Sequence, residues 1–106
     1  MEIINLTPHA VTLITDYSEI VIESSGIARA SESRKFVEFV NGIPLHEISL
    51  GAVFGLPEEQ DGIAYIVSRI VSEALPERND LYIPDRVVRD GKGQVVGCLG
   101  LGIVKD

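Results

Sequence analysis

The chain has no tryptophan, one cysteine and only 6% aromatic residues across its 106 positions. With Cys98 alone, no disulfide can close within the chain, and a lone thiol suits a reducing compartment. A domain of this length buries roughly two-thirds of the surface its unfolded form exposes, so it needs neither disulfide nor structural metal to hold a core. Long apolar runs are missing as well. None approaches the ~20 residues of a membrane span, and Met1-Glu2-Ile3-Ile4 places no basic region ahead of an apolar one. The expectation is a cytoplasmic, untargeted protein with no membrane partner. Positive charge is scarce: 9 Lys and Arg stand against 16 Asp and Glu, for a formal net charge of -7. Excess acid repels a polyanion, which argues against long DNA or RNA as a partner.

What is present is patterned for strands. Glu2 to Leu6 is a short apolar stretch ended by Thr7-Pro8-His9. Val11 to Thr15 and Ile20 to Glu23 are rich in β-branched residues and flank the polar connection Asp16-Tyr17-Ser18-Glu19, a hairpin signal. Ser24-Ser25-Gly26 breaks the run, and Ile27 to Ala30 starts another strand. The clearest local signal is Asn41-Gly42 between Lys35–Val40 and Ile43–Ile48. Asn-Gly supplies the two positive-φ positions of a type I′ turn, and Pro44 marks an edge or bulge beside it.

Residues 63 to 75 carry two periodicities. Ile63, Ile66, Val67, Ile70, Val71, Ala74 and Leu75 fall on one helical face, yet Ile63 to Val67 is crowded with β-branched and aromatic side chains. The reading adopted is a strand at 63 to 67 and a short helix near 69 to 75, stopped before Pro76. Tyr82-Ile83 makes one more strand, closed by Pro84. Val87–Arg89 and Val95–Cys98 form a last hairpin around Asp90-Gly91-Lys92-Gly93. Gly97, Gly100 and Gly102 mark a bulge or a close approach by backbone or ligand. The fold class that follows is α+β, mostly β: a small antiparallel barrel or sandwich of about seven short strands with one short helix, in a single domain over 1–106.

Catalytic and metal signatures are weak. His9, His46 and Cys98 are dozens of residues apart with no closely spaced pair, so no metal and no cofactor is expected. Cys98 with His9 or His46 as base is one reading. Its setting, Val95-Val96-Gly97-Cys98-Leu99, favours a packed small hydrophobe instead. Glu58, Glu59 and Asp61 sit in a polar loop where acids stay solvated. Gly97-Cys98-Leu99-Gly100-Leu101-Gly102 has the wrong glycine order for a dinucleotide fingerprint, and no helix follows it. Arginine stands out. Six of the nine bases are Arg, and Arg69, Arg78, Arg86 and Arg89 fall within 21 residues. Their planar forks bind phosphate or carboxylate bidentately; alternatively they pair with Glu73, Glu77, Asp80, Asp85 and Asp90 at the surface.

The segments Asn5-Leu6-Thr7-Pro8-His9, Ser25-Gly26-Ile27-Ala28-Arg29, Gly55-Leu56-Pro57 and Tyr65-Ile66-Val67-Ser68 occur in order. Arg78-Asn79-Asp80-Leu81, Pro84 and Gly93-Gln94-Val95-Val96-Gly97-Cys98 follow. As a set they resemble a family of small proteins of bacteriophages, prophages and their hosts, over nearly the whole chain. The resemblance implies context rather than mechanism: small accessory phage proteins often counter host defences, by blocking a host protein or sequestering a nucleotide-derived signal.

The leading expectation is a non-enzymatic, homo-oligomeric binding module for a small anionic, nucleotide-like ligand. Asn5, Thr7, His9, Arg29, Ser68, Arg69, Arg78 and Asp80, the polar and basic residues of those segments, would supply its contacts. An acidic protein that binds and inhibits a host protein is the alternative, weakened by acids interleaved with arginines rather than gathered in a stripe. A small enzyme acting on a nucleotide is the third. No nucleophile, base and orienting group stand together to support it.

Overall fold

The computed structural model describes residues 1–105. Eight strands and one helix follow in the order β1 (Glu2–Asn5), β2 (Val11–Ile14), β3 (Glu19–Ile22), β4 (Arg29–Val40), β5 (Ile43–Phe54), β6 (Ile63–Ile66), α1 (Arg69–Ala74), β7 (Leu81–Arg89) and β8 (Val95–Gly102). The class is α+β, mostly β, with one short helix, as the residue pattern predicts. Strand direction differs from the expected antiparallel arrangement. In the six-stranded sheet, ordered β1-β6-β7-β8-β2-β3, the β1–β6, β6–β7 and β2–β8 pairs are parallel and the others antiparallel. Parallel pairing follows from the β6–α1–β7 crossover, because a helix between two strands brings the second back alongside the first.

The sheet curls until its ends meet. A parallel bridge joins Asn5, at the end of β1, to Ser24 beyond β3, and Ser25 N–H donates to the Asn5 carbonyl at 2.8 Å. Period-two alternation divides the apolar side chains between two cores. Ile66, Val11 and Cys98 pack with Ile3, Leu13, Ile22 and Leu101. Tyr65 and Val67 pack instead with Leu6, Ala28, Leu81 and Val71 of α1. Strand β6 is therefore covered on both faces, which explains the unbroken apolar run that also read as a helical face. Beyond it, Ser68 caps α1, its side chain accepting from Val71 N–H at 3.4 Å.

Two strands run further than local signals indicate. The Asn-Gly turn forms with Asn41 at φ 52° and Gly42 at φ 78°, and the hairpin around it extends from Arg29 to Phe54 as a separate two-stranded sheet. Irregularities between Ala30 and Glu32 and between Phe36 and Glu38 let pairing continue where alternation breaks. Strand β7 likewise passes through Pro84 without ending. Its pairing with β6 stops at Tyr82, so the donor that proline lacks is missed only on a side already unpaired.

Candidate functional site

Asn5 is fully buried and holds the loop that follows it. Its Nδ2 donates to the carbonyls of His9 at 2.8 Å and Ile22 at 2.9 Å, and its Oδ1 accepts from Thr7 N–H at 2.9 Å. Thr7 Oγ1 lies 2.6 Å from Asn5 Oδ1 and 2.9 Å from the His9 carbonyl, both acceptors competing for one hydroxyl hydrogen. Ser24 Oγ lies 2.6 Å from the Thr7 carbonyl. Every turn of Thr7-Pro8-His9 is thus tied to β1 or to the segment after β3. The loop so held forms a ridge.

That ridge divides two concavities. The larger, of about 370 Å³, is lined by Thr7, His9, Val11, Val67, Ser68 and Cys98, with Pro84, Val87, Val95 and Val96 also in its wall. Its surface is mainly apolar. The second, of about 270 Å³, is lined by Pro8, Ile27, Arg29, Glu32, Ser68 and Ile70. Ser68 is common to both. Glu32 carries an ion pair with Arg34 at 3.5 Å, while Arg29 takes part in no ion pair among the described residues. The polar side chains around the two concavities are then the Thr7, Thr12 and Ser68 hydroxyls, the His9 imidazole, the Arg29 guanidinium and the Glu32 carboxylate that Arg34 pairs.

Of the eight residues expected to bind ligand, four line these concavities: Thr7, His9, Ser68 and Arg29. Asn5 stands behind them as a positioning residue. The other three lie elsewhere. Arg69 is exposed and bonds Glu73 one helical turn on, Nε to Oε1 at 2.9 Å. Arg78 grips Asp80 bidentately, Nε to Oδ1 at 2.8 Å and Nη2 to Oδ2 at 2.7 Å, and Nη2 also donates to the Pro57 carbonyl at 3.0 Å. That fork raises the Arg78 pKa and lowers that of Asp80, the hydrogen bond between them being the main cause in each. Arg89 donates to the Gly93 carbonyl at 2.9 Å in the last hairpin turn. Arg69, Arg78 and Arg89 are therefore engaged separately, Arg86 lines neither concavity, and the cation beside the cavities comes from Arg29, outside that run.

Cys98 lines the larger cavity and is 2% exposed. Burial pushes its thiol up, so at neutral pH the sulfur keeps its proton and presents a polarizable apolar surface. His46 lies far along the β4–β5 hairpin, its ring 5.9 Å from that of Phe36. No three His, Cys, Asp or Glu side chains gather as metal ligands among the described residues. No helix is long and apolar enough to cross a membrane.

Gly97 meets the expectation of close approach: a Cβ there would fall 2.9 Å from the Thr12 carbonyl oxygen and 2.7 Å from Ile14 Cδ1. Gly100 has open space around its Cα and Gly102 only ordinary contacts. The apolar part of the site, Val87, Val95 and Val96, escaped sequence reasoning because valines in strands read as core. Their exposure, 47%, 57% and 47%, is what marks them. Comparison with protein-family models, with curated proteins and with solved structures finds no match.

Proposed function

We propose that this protein is a non-enzymatic binding module that sequesters a small nucleotide-like molecule. The observation that carries this reading is the pair of adjoining concavities that share Ser68, one apolar with His9 and Thr7 at its rim, the other holding Arg29. The size of the larger suits it. Small-molecule sites run from about 300 Å³ upward and combine apolar walls with a few placed polar groups. The flat base packs on the exposed Val87, Val95 and Val96, with the buried Cys98 behind them. Ribose hydroxyls reach Thr7, His9 and Ser68, and a phosphate meets the Arg29 fork across the ridge. The resemblance to small phage proteins supplies the setting, an anti-defence role in the cytoplasm of an infected host.

Net charge does not oppose this. A long polyanion samples the whole acidic surface, whereas a small anion samples one local field.

Isothermal titration with AMP, ADP-ribose and cyclic dinucleotides tests the reading. At least one of them is expected to bind with unchanged mass after incubation. Arg29→Ala is expected to weaken that binding about tenfold to a hundredfold, the worth of one charge-assisted hydrogen bond. Absence of heat with every member of the panel overturns the proposal.

A further inference from the structure

The β4–β5 hairpin projects from the rest of the molecule. Only Ala30 and Val53, near its base, are partly buried against the core; every other residue of its two strands is exposed. Strands of 12 residues make an arm about 40 Å long at ~3.3 Å per residue. A solitary two-stranded ribbon is marginal in water, so an arm of this length calls for something packed on it.

Cross-strand register assigns its apolar side chains to faces. Phe36 lies opposite His46, Phe39 opposite Pro44 and Arg34 opposite Ile48, and the Phe36 and Phe39 rings meet edge to face at 5.1 Å. Phe39 is 67% exposed and Ile48 56%. On the reverse face near the tip, Val40 opposes Ile43, which is 66% exposed. Both sides of the tip are therefore apolar and in water.

We infer that this arm is a dimerisation element, its Phe36–Phe39 face packing against the same face of a second copy of the chain. Area argues for a copy. The chain exposes 7381 Å², whereas a compact monomer of its mass exposes about 5,800 Å². The excess, about 1,600 Å² per chain, lies in the range that a permanent homodimer buries on each side. Shape agrees: the radius of gyration is 16.6 Å, with a longest extent of 54 Å, against about 13 Å for a compact chain of this length.

Charge argues for a copy over a basic partner. On the hairpin Arg29, Arg34 and Lys35 balance Glu32, Glu38 and Glu47, so it carries zero net charge and the whole -7 resides on the remainder. A basic protein would be drawn to that acidic remainder. Two copies repel there and meet without net repulsion only along the arms, where interspersed charges of both signs are self-complementary about a two-fold axis.

Sedimentation equilibrium across a concentration series tests the inference. The expected mass is twice the 11.5 kDa of one chain, or an even multiple of it. Phe39→Asp is expected to return the mass to a single chain with the far-UV circular dichroism of the β-rich fold retained. A wild-type mass of one chain at every concentration overturns the inference, and so does a Phe39→Asp variant that remains dimeric. Should that variant fail to fold, hydrogen exchange on the wild type decides. Dilution is expected to deprotect amides of residues 32 to 50 selectively, and concentration-independent exchange there contradicts the dimer.

Discussion

At the residue scale the molecule depends on side chains that make several bonds at once. Asn5 has 0% exposure and uses both donors and its acceptor oxygen on three backbone groups. Asn5→Asp keeps the shape but turns a donor toward the His9 and Ile22 carbonyls into a second acceptor. Two donated bonds are then replaced by acceptor facing acceptor, at about 0.5–1.5 kcal/mol each, so urea denaturation is expected to show a loss of about 1–3 kcal/mol. Asp80 is the acid-sensitive point. Its folded pKa lies below the ordinary carboxylate value of ~3.9, so its stabilisation is complete above that pH and disappears as pH falls through the folded value. Asp80→Asn is expected to cost about 3 kcal/mol at neutral pH, because it leaves the nearly buried Arg78 without a counter-charge, the neutral Pro57 carbonyl remaining as its acceptor. The gap between variant and wild type should close below pH ~4, measured by unfolding across a pH series. Residue type and segment singled out Thr7, His9, Arg29 and Ser68, and these four line the two concavities. The engagement of Arg69 and Arg78 was not, since sequence spacing permits an ion pair as readily as a ligand contact and only geometry chooses.

At the scale of elements, local chemistry announced turns better than lengths. The Asn41-Gly42 turn follows from positive-φ tolerance, and the division between β6 and α1 from the β-branched and aromatic crowding of Ile63 to Val67. Strand ends at proline were the weak inference: β7 runs through Pro84 because its neighbour on one side has already stopped, a fact of topology absent from the local residues. The same strand carries a strained position. Arg86 has φ 55°, in the left-handed region, between the Asp85–Gly100 and Val87–Cys98 pairs. A side chain there costs about 1 kcal/mol relative to glycine. Arg86→Gly is expected to hold or raise the urea midpoint, and Arg86→Val to lower stability by about 1–2 kcal/mol. Equal losses in both variants would show that the guanidinium, rather than the backbone, matters.

At the scale of the whole molecule, two features of the composition acquire places. The acid excess belongs to the rest of the chain, while the arm has no net charge and is apolar at its tip. Hydrophobic content that read as core is in part an exposed ribbon, because strand patterns report alternation and not what lies against each face. The second concavity and the arm meet at Arg29, which lines the one and opens β4. The proposed ligand site is nevertheless complete within one chain, so its occupancy does not require the dimer.

The most direct test of the proposed function is a titration of amide chemical shifts with ADP-ribose and with AMP. Saturable shifts are expected at residues 7 to 9, at Ser68 and Arg29, and along Val95 to Cys98, with residues 41 to 48 at the arm tip unmoved. Shifts confined to the arm, or none at saturating nucleotide, would contradict a nucleotide site at the ridge between the two concavities.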